Sequence, residues 1–214
     1  MERLTLQWSA VPPEVAAAFR SVSSALAGSD FYLAGGTALA LRIGHRLSVD
    51  LDLFSPTFNT VEPLLESLRA ALPGFVVTST ASRTLEGALD GVGVSFFGYA
   101  YPCLRPPQRP APDLLPLATV EDIGAMKLAA IASRGSRKDF VDLWFMVNGG
   151  LSLAETLDLF TQKYAAVDVG HVVRSLAYFD DAEQEPELRL LRPAPWPEVK
   201  SDLRAWVEDL LAAP

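Results

Sequence analysis

FYLAGGTALALRIGHRLSVDLDLF, from Phe31 to Phe54, is the stretch on which the reading of this chain turns. Phe31 to Ala34 is a short apolar run that predicts a strand, Gly35 and Gly36 end it, and Thr37 to Ile43 predicts one or two helical turns. Val49 to Phe54 predicts a second strand, in which Asp50 and Asp52 fall between the apolar residues Val49, Leu51, Leu53 and Phe54. Strand side chains alternate between faces, so both carboxylates leave one side of the sheet while the apolar set enters the core. Aspartate is a poor strand former, and two like charges on one face repel unless something positive lies between them. A divalent cation meets that need. Ion pairing of a charged strand edge with Arg42 or Arg46 is the alternative reading. A strand, a glycine turn and a helix N-terminus together offer backbone N–H groups to a phosphate. The turn is no P-loop, because no Gly-Lys-Ser/Thr follows it, and Gly91 and Gly93 form no dinucleotide fingerprint, because Phe96 stands where the third glycine would be.

Upstream, Pro12 and Pro13 open a packing helix to about Leu26, with Val15, Phe19, Val22 and Leu26 at helical spacing. Downstream, Val61 to Leu72 predicts an amphipathic helix stopped by Pro73 and Gly74. Strands follow at Phe75 to Thr80, about Arg83 to Leu89, and Val92 to Ala100, with Asp90-Gly91 as the hairpin signal. The last strand sets Val92, Val94 and Phe96 on one face and Gly93, Ser95 and Phe97 on the other, and it contains no acid. Tyr101 to Leu117 holds six prolines, cannot pair deeply in a sheet, and predicts a surface strap.

Thr119 to Val147, TVEDIGAMKLAAIASRGSRKDFVDLWFMV, is the second informative region. Thr119 and Asp122 match a capping box, and Ile123, Met126, Ala130 and Ile131 form an apolar stripe. Lys127 and Arg134 lie seven residues apart beside that stripe. They either snorkel out of it or point into a cleft and hold a polyphosphate. Gly135 breaks the helix, and Ser136 with Asp139 matches the next capping box. Asp142 follows on the same helix surface, four residues from Lys138, where a surface ion pair is its plain explanation. Three further helices are expected over Leu153–Lys163, about 170–179 and Pro197–Leu211, the last with Val199, Leu203, Trp206 and Leu210 on one side.

Half of the 214 residues are hydrophobic, which suits one globular domain with a helical appendage. No apolar run reaches the ~18 residues of a membrane span, and the N-terminal segment shows no leader pattern, so a soluble cytoplasmic protein is expected. Cys103, the lone cysteine, allows neither an intrachain disulfide nor a cysteine metal cage and is expected to be buried or half-buried. With two histidines and no His/Cys cluster, zinc is not expected. A net charge of -8 weighs against indiscriminate nucleic-acid binding, while basic residues gathered near the motifs suit a small phosphorylated ligand.

Three segments in this order, GGTALALRIGHRLSVDLDLF, GVGVSFFGYAYP and EDIGAMKLAAIASRGSRKDFVDL, resemble the AbiEii/AbiGii toxin family of nucleotidyltransferases, a branch of the DNA polymerase beta-like superfamily. The resemblance implies an α+β fold, with a nucleotidyltransferase core over residues 1–118 and a helical C-terminal region over 119–214. It implies that Gly35, Gly36 and Thr37 hold a triphosphate, with Lys127, Arg134 and Lys138 as further nucleotide-binding residues. Asp50 and Asp52 would bind magnesium, with manganese as a substitute, and the KDxxD segment, through Asp139 and above all Asp142, would complete the acidic site. Asp142 would then replace the carboxylate that much of the wider superfamily carries at the strand position held here by Ser95. The implied activity is magnesium-dependent transfer of a nucleoside monophosphate from an NTP to an acceptor such as tRNA, by a toxin with an antitoxin protein as partner. A nucleotide-binding protein without catalysis and a metal-dependent phosphohydrolase are the rival functions.

Overall fold

The computed structural model describes residues 4–165 and 167–212. The chain divides into two units, Met1–Pro102 with Pro106–Ala118, and Thr119–Pro214 with Cys103–Arg105.

In the first unit, helix α1 (Pro13–Ala25) precedes strand β1 (Tyr32–Ala34), helix α2 (Gly35–Ile43) and strand β2 (Leu51–Ser55). Helix α3 (Val61–Ala71) leads into the strands β3 (Phe75–Ala81), β4 (Thr84–Leu89) and β5 (Val92–Gly98). The sheet order is β1-β2-β5-β4-β3, with β2 and β5 parallel and the other neighbours antiparallel, so the sheet is mixed and the fold is α+β. Leu51, Leu53, Leu85, Val94 and Phe96 are buried on one face, where α1 meets β5 and α3 meets β3 and β4. The β4–β5 hairpin turns at Asp90 and Gly91, both with positive φ, as the Asp-Gly pair requires of a two-residue turn.

Three local expectations are corrected here. Helix α2 begins at Gly35 rather than Thr37, because Gly35 takes φ +67°, a left-handed value open to glycine, and carries the chain from strand into helix within one residue. β2 begins at Leu51, and Val49, expected in the core, is 52% exposed ahead of it. Phe54 shares the face of Asp52 instead of the apolar face, and its ring meets that of Phe97 at 5.2 Å between centroids. Burial follows the strict alternation of the strand, which the sequence ending Leu53-Phe54 cannot satisfy on one side.

The proline-rich segment is a strap, as expected, and it covers the edge of the sheet. Pro116 accepts a hydrogen bond from the Leu33 N–H, and Ala118 donates to the Leu33 carbonyl, both at 2.8 Å, so Leu117 lies beside β1. Arg42 fastens the strap by donating to the carbonyls of Ala118 and Leu117 and to the Gln108 side chain. An edge strand closed in this way offers no free ladder to another chain.

In the second unit, helix α4 (Val120–Ser133) packs against α5 (Arg137–Asn148), α6 (Leu153–Lys163) and α7 (Val169–Ser175). A four-residue helix, α8 (Asp180–Glu183), and a long one, α9 (Trp196–Ala212), complete it. α7 is shorter than expected and α8 was not foreseen, because Phe179 turns inward to meet Phe140 and Trp196 at 5.0 and 5.8 Å. Thr119 caps α4 by accepting from the Asp122 N–H, but the Asp122 carboxylate does not return the bond. It accepts from the N–H groups of Leu104 and Arg105, from Lys163 Nζ and, at 3.4 Å, from the Thr119 hydroxyl, not from the Thr119 N–H. Cys103 is exposed, contrary to expectation, beside this anchored pair in a segment rich in proline. Among the described residues no helix is long and apolar enough to cross a membrane.

Candidate active site

In the first unit the glycine turn and the aspartates are adjacent. Thr37, buried at the start of α2, hydrogen-bonds the Ser48 hydroxyl at 2.8 Å and the main-chain carbonyl of Asp50, which fixes the turn against the entry to β2. Ala34, at the N-cap position of α2, has no side chain with which to accept from the leading N–H groups of the helix. The glycines around the aspartates are there for space. A Cβ at Gly35 would lie 2.9 Å from Asp52 Oδ2, and one at Gly93 would lie 2.8 Å from Asp50 Oδ1. Both carboxylates thus occupy volume that any other residue would fill, one leaning over the turn and one over β5. A Cβ at Gly36 would overlap Arg46 Nη2, so a buried guanidinium stands against the same turn.

Asp50 precedes the strand and is exposed, whereas Asp52 lies within it and is half-buried. Register carries Asp52 across the sheet: it pairs with Ala34 on β1 and Ser95 on β5, Ser95 pairs with Glu86 on β4, and Glu86 with Ser79 on β3. Residues in one such row share a face. Among the described residues no three acids, histidines or cysteines are gathered so as to hold a metal. Two aspartate carboxylates are nonetheless a fitting donor set for magnesium, a hard cation that takes one or two protein carboxylates and fills its other positions from water and phosphate.

In the second unit Lys127 is buried, and its Nζ lies 2.8 Å from Asp139 Oδ1 and 2.5 Å from Asp142 Oδ2. Arg134 Nε lies 2.9 Å from Asp139 Oδ2. Both aspartates are fully buried, while the Arg134 side chain is 55% exposed. Burial pushes the Asp139 carboxyl up, but the Lys127 ammonium and the Arg134 guanidinium outweigh it and hold the group below its usual range. Two sequence readings are corrected. Ser136 does not cap α5; its hydroxyl donates to Glu185, whose other carboxylate oxygen accepts from the Arg137 N–H, so the cap comes from a distant residue. Asp142 makes no surface pair with Lys138, which is exposed, because α5 turns it inward onto Lys127. Asp139, read as a cap, is instead the hub of a buried ion network.

Asp50, Asp52, Gly35, Gly36 and Thr37 are thus brought together in one unit, and Lys127, Arg134, Asp139 and Asp142 in the other, with Lys138 outside the network. Sequence reading missed the placement of Arg46 against Gly36 and of Glu86 in the row of Asp52. Arg46 was legible only as one of several clustered basic residues, and Glu86 carried no signal until the strand register was known. A groove of about 270 Å³ in the second unit, lined by Arg137, Val141, Leu190 and Trp196 among others, includes none of these residues.

The family model described as nucleotidyl transferase AbiEii toxin, type IV toxin-antitoxin system, matches residues 17–212. An uncharacterized protein of Aquifex aeolicus is 42% identical over 159 residues, covering 73% of this chain and 77% of that protein. The nucleotidyltransferase toxin MenT4 of Mycobacterium tuberculosis superposes with a TM-score of 0.57 at 19% identity, covering 93% of this chain and 84% of the toxin. The crystal structure of a putative nucleotidyltransferase from H. pylori superposes with a TM-score of 0.54 at 18% identity over 96% of both chains.

Proposed function

The chain belongs to the AbiEii family of nucleotidyltransferase toxins, and from that premise we propose that it transfers a nucleoside monophosphate from an NTP, with magnesium held by Asp50 and Asp52. The observation that carries this reading is the pair of glycine cradles, Gly35 beneath Asp52 and Gly93 beneath Asp50, which keep two carboxylates on one face next to the N-terminus of α2. A divalent cation bound there would draw charge from the phosphate oxygens, and manganese would serve in its place. The turn at Gly35 and Gly36 receives the triphosphate on its N–H groups, while Thr37 braces the turn through Ser48 and Asp50. Arg46, against Gly36, adds positive charge at the same end of α2.

Lys127, Arg134 and Lys138 are the phosphate-holding residues proposed in the second unit, and Asp142 is the proposed further acid. Asp142 faces Lys127 in this structure, so its first task is to hold that ammonium in place. The acceptor proposed is RNA, tRNA included, and the partner proposed is an antitoxin protein in the cytoplasm. Asp50→Asn tests the reading: the fold persists, since Asp50 is exposed, and transfer of label from α-labelled NTP falls by at least about a hundredfold, roughly 3 kcal/mol of transition-state stabilisation. Transfer retained by Asp50→Asn would overturn it.

A further inference from the structure

We infer that Glu86 is a catalytic residue of this site, the base that takes the proton from the attacking acceptor hydroxyl. The inference rests on the proposed nucleotidyl transfer and adds a residue that neither the motifs nor the family match assigns.

Three observations carry it. Glu86 lies in the same row as Asp52, with only Ser95 between them, so all three side chains leave the sheet on one face. Its strand neighbours Leu85 and Gly87 are buried on the opposite face, so Glu86 cannot turn into the core. The carboxylate is half-buried, and among the described residues it has neither a hydrogen-bond nor an ion-pair partner. Asp139 and Asp142, by contrast, are both engaged with Lys127. Ser95, which stands between Asp52 and Glu86 in the row, carries only a short side chain.

Spacing decides which task it has. Two strand separations of about 4.8 Å place the Cα atoms of Asp52 and Glu86 roughly 10 Å apart. Asp50, Asp52 and Glu86 do not form a group that could hold one metal ion. The interval instead admits a phosphoryl group on the aspartate side and an acceptor oxygen on the glutamate side. In the step proposed, the acceptor O–H gives its proton to the Glu86 carboxylate and its oxygen forms a bond to the α-phosphorus. The bond from that phosphorus to the bridging oxygen breaks, and pyrophosphate leaves with the electron pair. Proton transfer by a placed carboxylate contributes about 10²–10⁴-fold to such a rate.

The test uses the full chain, α-labelled NTPs, and release of pyrophosphate with water or total tRNA supplying the hydroxyl. Glu86→Gln is expected to lower kcat by about a hundredfold or more, with the KM for NTP little changed, because the residue serves the acceptor. Manganese binding, followed by loss of the free-ion electron paramagnetic resonance signal, stays as in the unaltered protein for Glu86→Gln and weakens for Asp52→Asn. Adding Ser95→Asp to Glu86→Gln restores part of the rate, since it returns a carboxylate to the same row one strand nearer. An active Glu86→Gln beside an inactive Asp50→Asn would overturn the inference and leave the proposed function standing. Weakened manganese binding in Glu86→Gln would make the residue a metal ligand and overturn its role as base. No pyrophosphate release by the unaltered protein with either hydroxyl source would overturn both readings.

Discussion

Lys127→Ala is expected to unfold the second unit far more readily than its one lost side chain would suggest. Lys127 is 4% exposed and pairs with Asp139 at 2.8 Å and Asp142 at 2.5 Å, both of them fully buried. Asp139 keeps Arg134 after the change, but both buried carboxylates lose the ammonium that lies between them. Breaking a buried pair by removing one member costs about 3–5 kcal/mol, since buried negative charge loses its nearest positive partner in low dielectric. With a urea m-value of about 2 kcal/mol/M for a domain of this size, the unfolding midpoint falls by roughly 2 M. Tryptophan fluorescence reads the transition directly, because Trp144 lies on the same helix as Asp142, with its ring N–H bonded to Asp202 at 2.7 Å. Lys127→Met combined with Asp142→Leu removes both charges and regains most of the loss. A shift below about 0.5 M for Lys127→Ala, the range of a surface ion pair, would refute the buried network. A loss of activity in Lys127→Ala is therefore read beside its unfolding curve, and only the part that survives at full folding speaks for phosphate binding.

Gly93→Ala is expected to leave the fold intact but to push the Asp50 carboxylate away, weakening manganese binding and transfer together; unchanged binding by titration would count against the cradle. The pH dependence of stability follows from Asp139, whose folded pKa is depressed. Its contribution is fully present above the unfolded value of about 4 and is lost as pH falls through the folded one, so acid titration followed by Trp144 fluorescence should show the loss beginning below about pH 4. Asp139→Asn should flatten that acid limb. Lys163→Met removes the ammonium from Asp122, which is 2% exposed, leaving it to the N–H groups of Leu104 and Arg105 and the Thr119 hydroxyl. A cost of about 3 kcal/mol in urea unfolding is expected, and a change within error would show that those hydrogen bonds suffice.

Most elements were legible in the sequence because they rest on local rules, while the fold class came from the resemblance of three ordered segments to a known family. Period-2 alternation marked β5, Asp90-Gly91 marked its hairpin with β4, and Gly35 marked the turn out of β1. The two aspartates stood out because acids between apolar strand residues are unusual. Errors came where one residue serves a distant partner. Ser136 looked like a cap, yet its hydroxyl goes to Glu185. The plain alternative for Asp142, a surface pair with Lys138, fails likewise, because Asp142 is buried on Lys127.

What the sequence by itself determined was the set of elements and the chemical types available: glycines at a strand end, two alternating aspartates, a lysine and a KDxxD segment on helices. Only the tertiary structure decided that Asp50 rests over Gly93, that Asp52, Ser95 and Glu86 form one row, and that Lys127 closes on two buried carboxylates. The physical reason is that periodicity fixes which face of an element a side chain occupies, whereas strand register and helix packing fix which other element it meets. Those are set by burial of the whole apolar face, a sum over many residues that no single motif records.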